Sequence, residues 1–125
     1  MTSLKLTVGI LASSLLALSG CALTQAPKQI SEVQFTDPQF AQCVQQNGIT
    51  ELAKITQLSC NSQQITNVDE IRFMPALTAL VLLDNQISHI DVSHLEQLDR
   101  LIVGNNQLTD INANTWPIYR LSLRG

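Results

Sequence analysis

Residues 77–90 read Leu77-Thr78-Ala79-Leu80-Val81-Leu82-Leu83-Asp84-Asn85-Gln86-Ile87-Ser88-His89-Ile90. Leu80 and Leu82 are two residues apart, so both point to one side of a short strand. Asn85 follows where an extended chain would have to turn, and Ile87 and Ile90 resume the apolar pattern. The same frame recurs on either side. Upstream stand Ile55, Leu58, Cys60, Gln63, Ile65 and Val68; downstream stand Leu98, Leu101, Val103, Asn106, Leu108 and Ile111. The starts are offset by 22 and then 21 residues, and a fourth, Ile118, Leu121, Leu123, follows after 20. Ile71 and Met74 before Leu77 correspond to Val92 and Leu95 before Leu98. A unit of this length cannot bury its apolar side alone. Stacked units form a parallel sheet whose inner side is a continuous core.

The frame resembles the leucine-rich repeat LxxLxLxxNxL, in the short bacterial class of about 22 residues found in internalin-like proteins. The resemblance covers Ile55 to Gly125. It implies an α/β fold: a short leucine-rich-repeat solenoid with parallel strands and, ahead of it, an N-terminal cap helix. Cys60 in place of Leu and Gln63 in place of Asn depart from the pattern, as does the shortened third repeat. In this frame Asn85 and Asn106 are structural, their amides bonding backbone groups that a buried turn would leave unpaired. Three to four turns are near the minimum for such an array, so its ends need protection.

Thr36-Asp37-Pro38 is a helix start, with Asp37 placed to cap free amides and Pro38 at the first helical position. Phe40, Cys43 and Val44 share one face, and Asn47-Gly48 is a stop. The spacing predicts a helix over Pro38 to Asn47, too short to stand alone, that covers the first turn. Residues 35–54 are therefore read as the cap and residues 55–125 as the repeats.

The first residues have a different character. Leu4 to Leu18 are almost wholly apolar or small, with Lys5 as the one charge. This is too short for a comfortable membrane span and reads as an export signal. Leu18-Ser19-Gly20-Cys21 resembles the bacterial lipobox. That resemblance implies cleavage of a signal peptide over residues 1–20, lipidation (palmitate included) of Cys21, and attachment to a membrane. Ala22, where Asp would retain the protein at the inner membrane, implies a periplasm-facing outer-membrane location in a Gram-negative cell. Residues 21–34 have no clear period and read as a flexible tether. Of three cysteines, lipidated Cys21 leaves Cys43 and Cys60 as a candidate disulfide pinning the cap to the first strand, since an exported chain meets oxidising conditions. Two buried free thiols are the alternative.

The chain has ten acidic and seven basic residues, a net charge of −3. Without the signal and its Lys5, this becomes about −4. An acidic chain without a basic cluster is a poor partner for nucleic acid. No motif for catalysis, cofactor or metal stands out. His89 and His94 are five apart and do not share a helix face. A metal site needs three or four convergent ligands. Asp91, Ser93 and His94 resemble a hydrolase set only in composition, because such groups must converge in a defined order. The expectation is therefore a protein without enzymatic activity.

The strand residues that face away from the core are more informative. They are Gln57, Ser59 and Asn61; Ala79, Val81 and Leu83; Arg100, Ile102 and Gly104; and Arg120, Ser122 and Arg124. Val81, Leu83 and Ile102 form an apolar group on a concave face where polar residues would be the plain expectation, although β-branched residues also simply favour strands. Arg100 and Arg120 beside it suit an acidic partner. The function expected is binding of another envelope protein or a peptide through this face. The alternative is a small structural or assembly subunit of an envelope complex that docks by its C-terminal edge, where Arg120 and Arg124 discourage unwanted strand pairing.

Overall fold

The computed structural model describes residues 25–113, together with the backbone of Leu121–Ser122. The expected export signal, Cys21 as the expected lipidation site, and Arg120 and Arg124 lie outside the described residues.

The architecture is mixed α/β, with parallel strands and one α-helix among the described residues. Helix α1 runs Pro38–Gln46, one residue shorter than the expected segment, with Asn47 as its C-cap. Gly48 follows at φ +83°, a left-handed stop that suits glycine, and its N–H bonds the Gln45 carbonyl at 3.2 Å. The strands are β1 Gln57–Ser59, β2 Ala79–Val81, β3 His89–Asp91, β4 Arg100–Ile102, β5 Asp110–Asn112 and β6 Leu121–Ser122. Two sheets result, ordered β1-β2-β4-β6 and β3-β5, and every pairing within them is parallel.

The register follows the repeat frame. Leu58 pairs with Leu80, Leu80 with Leu101, and Leu101 with Leu121, so partners differ by the same 22, 21 and 20 residues seen in the sequence. In the second sheet His89 pairs with Asp110 and Ile90 with Ile111. The core is one cluster between these sheets. Leu58, Leu80 and Leu101 supply it from one side and Ile65, Ile87 and Ile90 from the other. Met74, Leu77, Val92 and Leu95 fill the connections, and Phe40 and Val44 of α1 close the end beside β1. Truncating a side chain as enclosed as Leu80 would cost about 2–5 kcal/mol.

Residues 28–34, expected to be part of a flexible tether over 21–34, pack against the cap instead. The Leu52 N–H bonds the Lys28 carbonyl at 2.9 Å, and the Ile30 N–H bonds the Thr50 carbonyl at 2.8 Å. Gln29 and Glu51 form an antiparallel bridge, a 3-10 turn follows at Ile30–Glu32, and Ile30 is buried. From Lys28 onward this segment belongs to the cap. Ile30 and the half-buried Val33 turn to the core, but two apolar residues in so short a stretch set no period, so pattern alone does not mark it as packed.

Candidate functional site

Three surfaces of the described residues carry exposed chemistry. The first is the side of the β1-β2-β4-β6 sheet turned away from the core. Strand alternation puts Gln57, Ser59, Val81, Arg100 and Ile102 there, while Leu58, Leu80 and Leu101 are buried behind them. Ser59, Val81 and Ile102 lie in one cross-strand row, and Gln57, Ala79 and Arg100 in the next. Val81, Leu83 and Ile102 are all half-buried, and Arg100 is exposed. Ala79 is buried, at 8 % exposure, so it adds little to this surface. Leu83 is fixed by its backbone. Its N–H bonds Asn61 Oδ1 at 2.8 Å, and its carbonyl accepts from the Ser62 N–H at 2.9 Å. The apolar trio therefore sits on a stiff sheet, with Gln57, Ser59, Asn61 and Arg100 as a polar rim. The remaining predicted contact residue, Arg120, lies outside the described residues.

The second surface is the rim where each strand turns toward the opposite sheet. Ser62, Asp84 and Asn105 stand there at φ +55°, +57° and +56°, one per turn. The next positions are Gln63, Asn85 and Asn106. The Asn85 amide donates to the carbonyls of Cys60 (2.7 Å) and Leu83 (3.1 Å) and accepts from the N–H groups of Gln63 (3.0 Å) and Ile65 (3.1 Å). That uses the whole bonding capacity of an amide side chain. Asn106 likewise donates to the carbonyls of Leu82, Val103 and Gly104 and accepts from the Ile87 N–H. Both bind one turn to the previous one. At the first turn Gln63 supplies its backbone N–H to this ladder. Ser62, Gln64, Asp84, Gln86, Asn105 and Gln107 line an open polar trough of about 380 Å³ over it.

The third surface is a hollow of about 240 Å³ lined by Asp69, Arg72, His89, Asp91 and His94. His89 Nδ1 lies 2.9 Å from Asp110 Oδ2 on the neighbouring strand. Ser93 does touch both Asp91 and His94: its hydroxyl donates to Asp91 Oδ1 at 2.5 Å and lies 3.3 Å from His94 Nδ1. The order is not that of a nucleophile and base. The serine proton is directed to the carboxylate, and the carboxylate orients the serine rather than the imidazole. Hydrogen bonds from the Ser93 hydroxyl and N–H hold the Asp91 carboxyl below the usual range, against a smaller opposing effect of burial, with His94 and Asn112 adding to the lowering. Among the described residues no group of three or more His, Cys, Asp or Glu side chains is arranged to hold a metal ion.

The cap carries two polar ties that sequence reasoning saw only in part. Asp37 caps α1, with Oδ1 accepting from the Gln39 and Phe40 N–H groups, as its position implied. Its other oxygen accepts from the N–H and hydroxyl of Thr66 and from the Asn67 N–H. Glu70, buried, accepts from the Thr36 N–H and hydroxyl at 3.3 and 3.2 Å. Cys43 on α1 and Cys60 after β1 are joined by a disulfide, with Cα atoms 5.9 Å apart. The chain between Phe35 and Val44 is thus held to the first turn by two carboxylates and one covalent bond.

Neither a protein-family model nor a curated protein matches this chain at a significant level.

Proposed function

We propose that the protein is a lipid-anchored envelope protein, built as a minimal leucine-rich-repeat solenoid, that binds a partner protein or peptide through its concave sheet face. The observation that carries the binding reading is the trio of half-exposed apolar side chains, Val81, Leu83 and Ile102, on adjacent parallel strands with a polar rim and Arg100 beside them. A contiguous apolar group rimmed by polar residues is a candidate contact surface. The repeat reading draws support from the equal offsets of sequence frame and strand register, and from the Asn85 and Asn106 ladder. The anchor reading rests on the lipobox-like Leu18-Ser19-Gly20-Cys21, and Ala22 favours the outer membrane of a Gram-negative cell.

A stiff face of three to four short strands offers room for a compact or extended segment, not for a large wrapped ligand. Arg100, with Arg120 in the equivalent position of the next repeat, favours acidic side chains in that segment. The double substitution Val81→Asp, Leu83→Asp tests this. The variant should fold, since both side chains are already part-exposed, and should lose a partner that the parent protein retains on purification from cells. Equal recovery of that partner by a folded variant would exclude this face.

A further inference from the structure

We infer that the contact on the sheet face is fixed by the backbone N–H of Gly104, which donates to a side-chain oxygen, of Asn or Asp, on the partner segment. The inference rests on the binding reading of that face proposed above and names the chemistry the face recognises.

The register carries it. Ser59, Val81 and Ile102 are cross-strand partners, so two residues further on Asn61, Leu83 and Gly104 fall in the next row on the same side of the sheet. Below this row the structural amides take up carbonyls of the strands: Asn85 donates to the Cys60 carbonyl at 2.7 Å, and Asn106 to the Leu82 carbonyl at 2.8 Å. At Leu83 a side chain supplies the acceptor instead, since its N–H donates to Asn61 Oδ1 at 2.8 Å. At Gly104 nothing does. The residue in the place of Asn61 is Leu83, whose side chain has no acceptor. The carbonyl of Gly104 accepts from the Asp84 N–H and the Asn106 amide, but its N–H has no hydrogen-bond partner among the described residues. Gly104 is buried, and buried N–H groups left unpaired are rare and costly.

The residue type is a second, independent observation. Gly48 takes φ +83°, but Gly104 has no positive φ, so no turn requires a glycine there. A glycine in such a place leaves the backbone bare, as where a ligand or another chain comes close. Here the bare backbone follows Ile102 and lies beside Leu83, both half-buried apolar residues of the candidate face. In an extended partner running along β4, the side chain two places from the one that covers Ile102 stands over Gly104. The segment recognised therefore carries an apolar residue and, two places away, an Asn or Asp that does for Gly104 what Asn61 does for Leu83.

The test reads amide protons of the purified protein, disulfide intact, by nuclear magnetic resonance. The free protein should exchange the Gly104 amide several-fold faster than that of Leu83. Leu83→Asn, which puts a carboxamide where Asn61 has one, should protect the Gly104 amide and raise the urea midpoint. The probes are acetyl-Ile-Thr-Asn-Thr-amide and the same peptide with Asp or Leu in place of Asn. The Asn or the Asp peptide should move the Gly104 amide proton downfield and slow its exchange several-fold, and the larger effect identifies the oxygen. The Leu peptide should shift Val81, Leu83 and Ile102 without moving Gly104. Shifts on that trio with the Gly104 amide unmoved by all three peptides would overturn the contact and leave the face standing as a binding surface. A Gly104 amide as slow to exchange in the parent as in Leu83→Asn would mean that it is already bonded, and would equally overturn it. No shift on the face from any peptide would count against the face itself and take the contact with it.

Discussion

Asp37 and Thr66 are joined twice across 29 residues: Asp37 Oδ2 accepts the Thr66 N–H at 2.6 Å and the Thr66 hydroxyl at 2.9 Å. The same carboxylate caps α1 through its other oxygen. One buried side chain thus starts the cap helix and fastens it to the turn that follows β1. Replacing it with Ala removes the cap, which is worth ~1 kcal/mol, and leaves buried N–H groups without partners at ~1–3 kcal/mol. Asp37→Ala should therefore destabilise by about 3 kcal/mol, read as a lower urea midpoint at unchanged slope. A loss under ~0.5 kcal/mol would show that water replaces these bonds at no cost.

The same carboxylate gives an acid dependence. Burial pushes the Asp37 carboxyl up, but the bonds from Thr66, Gln39 and Asn67 together outweigh it and hold it below the ordinary value. A group depressed in the folded state stabilises above its unfolded value, and that contribution is lost as pH falls through the folded one. Stability should then hold at neutral pH and decline below about pH 4. In Asp37→Asn the decline should be shallower. Identical acid slopes in the two proteins would assign the effect to other carboxylates, such as Asp91.

Asn85 is the most committed amide in the ladder, with two donated and two accepted bonds at 7 % exposure. Asn85→Ala should cost about 3 kcal/mol. Asn85→Asp should cost at least as much, because it turns a carboxylate toward the Cys60 and Leu83 carbonyls. Asn106→Ala should be milder, since Asn106 is only half-buried. Chemical denaturation of the three variants gives the order, and a larger loss at Asn106 would contradict it.

Much of this was readable in the residues, and the reasons differ by element. The parallel register was legible because Leu58, Leu80 and Leu101 repeat in one frame, and stacking is the way such frames bury their apolar side. Helix α1 was legible from Asp37, Pro38 and Gly48. The β3-β5 sheet was not, because His89–Asp91 and Asp110–Asn112 are three-residue strands of mostly polar side chains. They pair because the turns above them already stack. The docking of Lys28 to Gln34 was hidden for a related reason: it rests on a backbone bridge from Gln29 to Glu51, and backbone bonds leave no side-chain signature. On the candidate face Val81, Leu83, Arg100 and Ile102 could be named from alternation alone, whereas the burial of Ala79 depends on its neighbours' bulk.

The disulfide should act mainly by restricting the unfolded chain. Cys43 and Cys60 are 17 residues apart, and closing a loop of that size contributes ~3 kcal/mol. Cys43→Ser with Cys60→Ser should lower stability by about that amount while keeping the β-strand signature in circular dichroism. Thiol titration of the denatured, unreduced mature protein should find neither cysteine free.

Gln64 adopts φ +59°, where a side chain with a Cβ is strained. Gln64→Gly should remove that strain and leave stability unchanged or raised by up to ~1 kcal/mol. A loss larger than that would mean the Gln64 side chain supports the trough it lines.

The central claim is that the sheet face touches a partner, and crosslinking in living cells tests it most directly. A photo-crosslinking residue is placed at Ile102 on that face, or at Gln107 on the polar trough, in otherwise unaltered protein. The account predicts one defined adduct from position 102, absent from position 107 and abolished by Val81→Asp with Leu83→Asp. Adducts of equal yield from both positions, or none from 102 in correctly folded and localised protein, would contradict it.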